Sequence, residues 1–150
     1  MRAVVQRVRA GSVHVGEEEV ARIAAGVVIL LGVAADDRPE DGERLAAKIL
    51  ALRIFDDEHG VMNRSVQETG GDLLAVSQFT LHASTRKGNR PSWSGAAPPE
   101  VARPMFDAFV AALARELGRA VPTGRFGADM AVALVNDGPV TVVIDSRARE

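Results

Sequence analysis

The sequence predicts an α+β fold: a single domain over residues 1–150, built on a mainly antiparallel or mixed, twisted and barrel-like β-sheet with two main helices. Stretches that alternate polar and apolar residues, or that are continuously apolar between glycines, dominate the first third of the chain and return at its end. Two other stretches repeat apolar residues with a helical period. No internal repeat or linker divides the chain, whose length fits one domain.

Two kinds of pattern predict the strands of the first half. Ser12–Val15 alternates polar and apolar residues and, after a turn at Gly16–Glu19, leads into Val20–Ile23, which predicts a hairpin with one face in water. Gly26–Val33 is a continuous aliphatic run, typical of a central strand covered on both faces. Leu73–Val76 is a further buried strand on the same grounds.

Apolar residues at helical spacing predict the first helix. It is expected to begin near Pro39, because proline is tolerated in a first turn, with Asp36 or Asp37 as its N-cap. The apolar stripe that this helix would bury consists of Leu45, Ile49 and Leu52.

The last third of the chain predicts a second helix and two strands. Glycine is a common helix stop, so the helix is expected to end at Gly118. An interior proline deletes a backbone hydrogen bond, so Pro104 indicates a helix that either starts at about Arg103 or is kinked. Ala131–Val135 and Val140–Ile144 are predicted strands.

Composition excludes several classes of function. The chain has no cysteine, which rules out disulfides, thiolate nucleophiles and cysteine-ligated zinc, and its three histidines show no metal-ligand spacing. We therefore expect neither metal nor cofactor. The formal charge of −2 argues against general polyanion binding, so any nucleic-acid contact requires a local basic patch. The charged start is unlike a signal peptide and no apolar run is long enough to span a bilayer, which predicts a cytoplasmic protein without a membrane partner.

A polar segment follows the predicted strand at Leu73–Val76. Ser77, Gln78 and Thr80 offer two hydroxyls and an amide within four positions. A hydroxyl nucleophile needs a base within hydrogen-bond reach, and no histidine stands in a recognisable relation to these residues. Taken alone, they are interpreted as strand-end groups that satisfy nearby backbone.

Two further segments carry candidate functional residues. Asn136–Thr141 contains the usual residues of a hairpin turn, and the alternative is a cis Gly–Pro bond, which is uncommon. In the loop from Thr85 to Pro99, the cations Arg86, Lys87 and Arg90 suit contacts with phosphates, with Trp93 close by as a candidate stacking surface. The alternative is a solvated basic loop.

Six stretches of the sequence resemble, in order and nearly end to end, the D-aminoacyl-tRNA deacylases of the bacterial and eukaryotic type. They are Met1–Val8, Lys48–Phe55, Ser77–Leu81, Thr85–Gly88, Gly124–Met130 and Asn136–Thr141. Any one of them is a weak signal, but six in the family's order form a specific one. The departures, Pro104 and a short polar tail after Ser146, touch none of these motifs.

The resemblance implies a hydrolase for the ester bond of D-aminoacyl-tRNA and of mischarged glycyl-tRNA. It implies a homodimer in which Ser77–Leu81 of one chain meets a cis Gly138–Pro139 inserted from the other. Two parallel carbonyls there would accept the α-ammonium group of the substrate, while the backbone would exclude an L side chain. Glycine has no side chain to exclude, so glycyl-tRNA would also be hydrolysed.

The resemblance also implies roles within the site. Backbone N–H groups near Ser77 and Phe79 would hold the developing oxyanion, and the terminal ribose 2′-OH of the tRNA would orient or activate water. Gln78 and Thr80 would position the ester and the pocket wall. The residues expected to hold the terminal adenosine are Arg125, Phe126 and Met130. Two rival hypotheses stay open: a carboxylesterase with Ser77 or Thr80 as nucleophile, and a tRNA-binding module without catalysis.

Overall fold

The computed structural model describes residues 1–148. The elements in chain order are β1 (Arg2–Val15), β2 (Glu18–Ile23), β3 (Gly26–Gly32), α1 (Pro39–Leu50), β4 (Phe55–Asp56), β5 (Met62–Arg64), α2 (Val66–Thr69), β6 (Asp72–Ser77), a 3₁₀ helix (Phe79–His82), α3 (Pro99–Leu117) and β7 (Ala131–Asp145). The prediction of an α+β fold with two main helices, α1 and α3, is confirmed.

The long strand β1 organises a curled, mixed sheet. Its first half pairs with β3 and its second half with β2, both antiparallel, while β7 runs antiparallel along nearly its whole length. The sheet is completed by β6, which pairs in parallel with β3. The predicted mixed sheet and the central position of the Gly26–Val33 strand are both confirmed.

Both faces of the curled sheet carry a cluster of buried apolar side chains. One face packs against α1 and α3 and forms the larger hydrophobic core, in which Ile29, Leu113 and Phe109 are almost fully buried. A smaller cluster around Val28 and Leu74 fills the opposite face. Successive residues of a strand point to opposite faces, so the uninterrupted aliphatic run of β3 supplies both clusters.

Helix α1 begins at Pro39 as predicted, but its cap differs from the prediction. The N-cap is Arg38, whose backbone N–H donates to Asp41 Oδ2 at 2.9 Å. This hydrogen bond, with the neighbouring Arg44, holds the pKa of Asp41 below its ordinary value. Asp37 instead accepts from the backbone N–H of Ala34 at 2.6 Å, because the turn before the helix carries its carboxylate back toward β3.

Helix α3 extends further toward the N-terminus than the sequence predicted. It begins at Pro99 and runs through Pro104, so a start at Arg103 is wrong. Pro99 occupies the first turn, where its missing N–H costs nothing. Pro104 is exposed, so water can reach the carbonyl that its missing N–H leaves unpaired. The predicted stop at Gly118 is confirmed, with a left-handed φ of 75°.

The end of the chain forms one strand, and the prediction of two strands joined by a hairpin turn is wrong. Asn136 pairs with Val8 and Thr141 with Gln6, so residues 137–140 lie opposite the single residue Arg7. The extra residues bulge out while β1 remains the partner on either side, so the strand keeps its direction. None of the helices within residues 1–148 is long and apolar enough to cross a membrane.

Candidate active site

The segment after β6 leaves the sheet through a short 3₁₀ turn. The N–H of Gln78 donates to the carbonyl of Leu31 at 2.7 Å, which extends the pairing with β3 by one residue. The chain then turns, with Leu81 N–H donating to Gln78 O at 3.2 Å. No acceptor within residues 1–148 takes the N–H groups of Phe79 and Thr80, because the first donors of a helix have no intrahelical partner.

Two contacts fix this segment against the sheet. A Cβ on Gly32 would lie 2.9 Å from Gln78 O, so glycine at this position allows the backbones to approach closely. From β1, Arg2 donates through Nη1 to the carbonyl of Leu81 at 2.7 Å and pairs with Asp145 at 2.9 Å. The segment is therefore held by backbone contacts and by a cation from a neighbouring strand.

The side chains of the segment do not form a nucleophile–base pair. Gln78 Nε2 donates to Thr80 Oγ1, and an amide donor cannot remove the hydroxyl proton. The Nε2 atom of His82 is buried without a hydrogen-bond partner, while His14 pairs with Glu19 at 3.5 Å. The geometry thus agrees with the sequence-based doubt about a hydroxyl nucleophile.

A cavity of about 590 Å³ opens beside the segment. Its walls are the ends of β3 and β6, the loop before α3 with the first turns of that helix, and the stretch from Phe126 to Val132. Ser77, Gln78 and Phe79 line it, whereas Thr80 stands outside, hydrogen bonded to Gln78. The size and mainly apolar lining are typical of a site for a small organic group with few polar contacts.

The structure brings two of the three residues predicted to hold the adenosine to this cavity. Phe126 packs against Phe106 of α3, with ring centroids 6.1 Å apart, and Met130 fits over Gly124, where a Cβ would lie 2.5 Å from its sulfur. Arg125 does not line the cavity. Its guanidinium instead pairs with Glu18 at 3.1 Å.

Gly138 and Pro139 form the tip of the bulge in β7 and lie outside the cavity of their own chain. Their peptide bond is cis, and both residues are exposed. A Cβ on Gly138, whose φ is 123°, would lie 2.8 Å from Val140 Cγ2 and 3.0 Å from Arg7 Nη2. This position therefore accepts glycine only.

Arg7 supports the bulge from below. Its side chain is 10% exposed and donates to the carbonyls of Asp137, at 3.1 Å, and Ile54, at 2.7 Å. It also lies 3.4 Å from the Asp137 carboxylate and 3.6 Å from that of Asp56. A buried guanidinium with several fixed acceptors holds the bulge in one position.

The basic loop lies on the surface next to the cavity. Arg86, Lys87 and Arg90 are exposed and form no salt bridge within residues 1–148. Two backbone hydrogen bonds between Ser84 and Ser92, at 2.8 and 2.9 Å, close the base of the loop. The three cations are thus presented together at the tip of a tied loop.

Several cavity residues have no predictable signal in the sequence. They are Ala96, Pro98, Pro99, Ala102 and Phe106. Most are apolar, and on α3 they share the pattern of a core-facing helix, so periodicity alone assigns them to packing. Trp93, which also lines the cavity, does have a sequence signal, because its place beside the basic loop suggests a stacking surface. In the structure it is 42% exposed and meets Phe79 edge-on, with ring centroids 5.5 Å apart.

The chain matches the family model described as D-Tyr-tRNA(Tyr) deacylase over residues 4–145. It belongs to that family. It is 60% identical to a D-aminoacyl-tRNA deacylase of Opitutus terrae and 57% identical to one of Dechloromonas aromatica, in each case over the full length of both chains. These matches confirm the resemblance found in the sequence.

Two solved structures share the fold. The c-Myc DNA unwinding element binding protein superposes with a TM-score of 0.91 at 41% identity, covering 99% of this chain and 100% of the other. A probable eukaryotic D-amino acid tRNA deacylase superposes with a TM-score of 0.83 at 18% identity, covering 95% and 97%. The second likeness supports the fold alone.

Proposed function

We propose that this protein hydrolyses the ester bond of D-aminoacyl-tRNA in the cytoplasm, releasing tRNA and the free D-amino acid. One observation carries the proposal: in a chain of the deacylase family, the Ser77–Phe79 segment and the Phe126–Met130 stretch line the same cavity. The stretches lie far apart in sequence and coincide with two of the motifs on which the family resemblance rests.

The cavity accommodates the terminal adenosine, with its base against the ring of Phe126 and the thioether of Met130. The ester carbonyl then lies at the Ser77–Phe79 end. There the N–H groups of Phe79 and Thr80 have no acceptor within residues 1–148 and can donate to the developing oxyanion. Donors of this kind are worth about 10²–10³ in rate elsewhere.

The attacking group in this mechanism is water rather than a side chain. The adjacent ribose 2′-OH orients this water, and the oxygen of the water adds to the carbon of the ester carbonyl. The tetrahedral intermediate then expels the ribose 3′-oxygen, which takes up the proton that the attacking water loses. Gln78 and Thr80, joined by their side-chain hydrogen bond, keep the backbone of the segment in place. No metal or cofactor is part of this scheme.

A second copy of the chain completes the site in this proposal. Strand β7 pairs only with β1 within residues 1–148, and Val135 and Val143 on it are 55% and 57% exposed. A long edge strand with exposed apolar side chains favours association with another chain. In a homodimer, Gly138–Pro139 of each copy enters the cavity region of the other, accepts the substrate ammonium group and excludes L side chains.

The loop cations are proposed to bind the tRNA backbone. Arg86, Lys87 and Arg90 lie at the tip of a loop whose base adjoins Trp93, a cavity residue, so phosphates of an acceptor end that enters the cavity would pass them. This arrangement reconciles a net negative chain with an RNA substrate, because the positive charge is local.

The decisive experiment compares hydrolysis of D-Tyr-tRNA, L-Tyr-tRNA and Gly-tRNA by the purified protein. We expect hydrolysis of the D ester and of Gly-tRNA, with the L ester spared. Comparable hydrolysis of both tyrosyl isomers would favour a carboxylesterase. Binding of all three without hydrolysis would favour a nucleic-acid-binding module.

A further inference from the structure

A single exposed cation stands at the rim of the cavity on the side of α3. The guanidinium carbon of Arg103 lies over the ring of Phe126, 5.9 Å from its centroid, and Phe126 lines the cavity. The residues that precede and follow it on the buried side of the helix, Ala102 and Phe106, form part of the same wall. Position in the helix and contact with the ring together fix this cation beside the cavity mouth.

The guanidinium of Arg103 has no carboxylate partner within the described chain. Arg103 forms no salt bridge with any carboxylate among residues 1–148. Two nearby arginines do have carboxylate partners: Arg125, the immediate neighbour of Phe126, pairs with Glu18 at 3.1 Å, and Arg115, further along α3, lies 3.7 Å from Glu116. Of the two arginines next to Phe126, Arg103 is therefore the one whose guanidinium has no anionic partner here.

We propose that Arg103 binds the 5′-phosphate of the terminal nucleotide of the substrate. The inference rests on the proposed function, which places the terminal adenosine against Phe126. The phosphate that links this nucleoside to the preceding nucleotide is separated from the base by one ribose, so it emerges at the rim of the cavity. A guanidinium there can bind a phosphate through two parallel hydrogen bonds while keeping one face on the aromatic ring.

This role is distinct from that of the basic loop. The loop cations lie on an irregular surface segment, whereas Arg103 projects from a regular helix and contacts the ring of Phe126. A cation held by a rigid element fixes the register of one phosphate. Arg103 would thus set how deeply the terminal nucleotide enters, and Arg86, Lys87 and Arg90 would bind the chain that follows.

The test uses two small substrates that differ only in the phosphate. One is the 3′-ester of a D-amino acid with adenosine, and the other is the same ester of adenosine 5′-monophosphate. The wild-type protein is expected to hydrolyse the phosphorylated ester with a kcat/KM higher by about two- to fivefold, the range of an exposed ion pair. Arg103→Ala should abolish this preference and leave the unphosphorylated ester unchanged.

Two variants serve as controls. Arg103→Lys retains a cation over the ring and should keep most of the preference. Arg115→Ala removes an arginine from the same helix, 12 residues and about 18 Å further along, and should keep all of it.

The outcomes separate the inference from the proposed function. A preference that survives in Arg103→Ala would overturn the inference, and so would an equal loss on both esters, since that would mean that Arg103 acts only by holding Phe126. Failure of the wild-type protein to hydrolyse either ester or D-aminoacyl-tRNA would instead overturn the proposed function on which the inference stands.

Discussion

Residues 77–82 and residues 137–140 are two irregular segments beside regular strands, and the chain supports them differently. The first lies against the sheet, where Gly32 allows close backbone contact and Arg2 binds the carbonyl of Leu81. It adjoins a cavity that its own chain encloses. The second is equally well supported from below, by Arg7, but its tip at Gly138–Pro139 faces outward.

Under the proposed function, this difference corresponds to a site divided between two copies of the chain. In that proposal the segment after β6 would supply the backbone donors beside the cavity that takes the terminal nucleoside. The bulge in β7 is held in one position by a buried cation, while its tip stays exposed. A segment that tests the shape of a substrate bound to another subunit must be both rigid and exposed.

The largest effect is expected at the tip of the bulge. Gly138→Ala places a Cβ 2.8 Å from Val140 and 3.0 Å from Arg7 at a φ of 123°, so the bulge must shift. A misplacement on the order of 1 Å can cost about 10²-fold in rate. We expect a loss of this size for D-Tyr-tRNA, or a gain of L-Tyr-tRNA hydrolysis, in single-turnover assays.

The control for this change is Gly16→Ala. Gly16 also has a positive φ, of 58°, but a Cβ there meets nothing within 4 Å, so only the backbone cost is shared. If both variants behaved alike, the bulge would have no special part in catalysis.

Removing the support of the bulge should act on stability as well as on activity. Arg7→Ala leaves the carbonyls of Ile54 and Asp137 without their donor in a largely buried setting. Each such loss costs about 1–3 kcal/mol, so urea unfolding should show a free energy of unfolding lower by about 2 kcal/mol or more.

Arg9→Ala is the matched control for Arg7. The Arg9 side chain is 75% exposed and contacts only the carboxylate of Asp137, at 3.0 Å. Removing the Arg9 side chain should therefore lower the free energy of unfolding by less than about 1 kcal/mol. Equal destabilisation by the two substitutions would contradict a special role for the buried guanidinium.

A moderate effect is expected in the segment after β6. Thr80→Ala removes the acceptor of the Gln78 amide, and losing one hydrogen bond that positions the backbone should slow hydrolysis about tenfold. Thr80→Ser, which keeps the acceptor, should retain activity. Ser77→Ala should cost no more than Thr80→Ala, because the Ser77 hydroxyl makes no hydrogen bond within residues 1–148. Loss of a true nucleophile costs on the order of 10⁶ in kcat, so a collapse of that size would revive the esterase hypothesis.

The two segments also differ in how far the sequence could predict them. The location of the first followed from a buried strand that ends in polar residues, and β6 does end at Ser77. The second has the composition of a hairpin turn, because Asn, Asp, Gly and Pro are turn residues whatever their partner. That β7 continues is shown only by its pairing with β1 on both sides of the bulge, Asn136 with Val8 and Thr141 with Gln6. Such pairing joins residues far apart in sequence, so the local sequence does not predict it.

The cavity was only half predictable for a similar reason. Phe126 and Met130 were found through the family resemblance, whereas Ala102 and Phe106 of α3 follow the helical period of core residues. The start of α3 was missed because Pro104 has the local signature of a helix breaker, while its exposed position in the fold makes it tolerable.

The smallest effect is expected from the loop cations, and it separates substrate binding from the reading of chirality. The variant Arg86→Ala, Lys87→Ala, Arg90→Ala should bind tRNA more weakly and with a shallower salt dependence, by about 0.7–0.9 in slope for each phosphate that the loop no longer neutralises. Its ratio of D to L hydrolysis should equal that of the wild type, because the proposed chirality contact at Gly138–Pro139 carries no charge. The control variant Arg22→Ala, Lys48→Ala, Arg115→Ala removes the same charge from exposed positions on other elements, and so tests for an effect of net charge alone. Equal salt slopes for wild type and the loop variant would mean that the loop is only solvated surface. A change in the ratio of D to L hydrolysis would mean that the loop reaches the ester. Chirality would then not be read at Gly138–Pro139 alone.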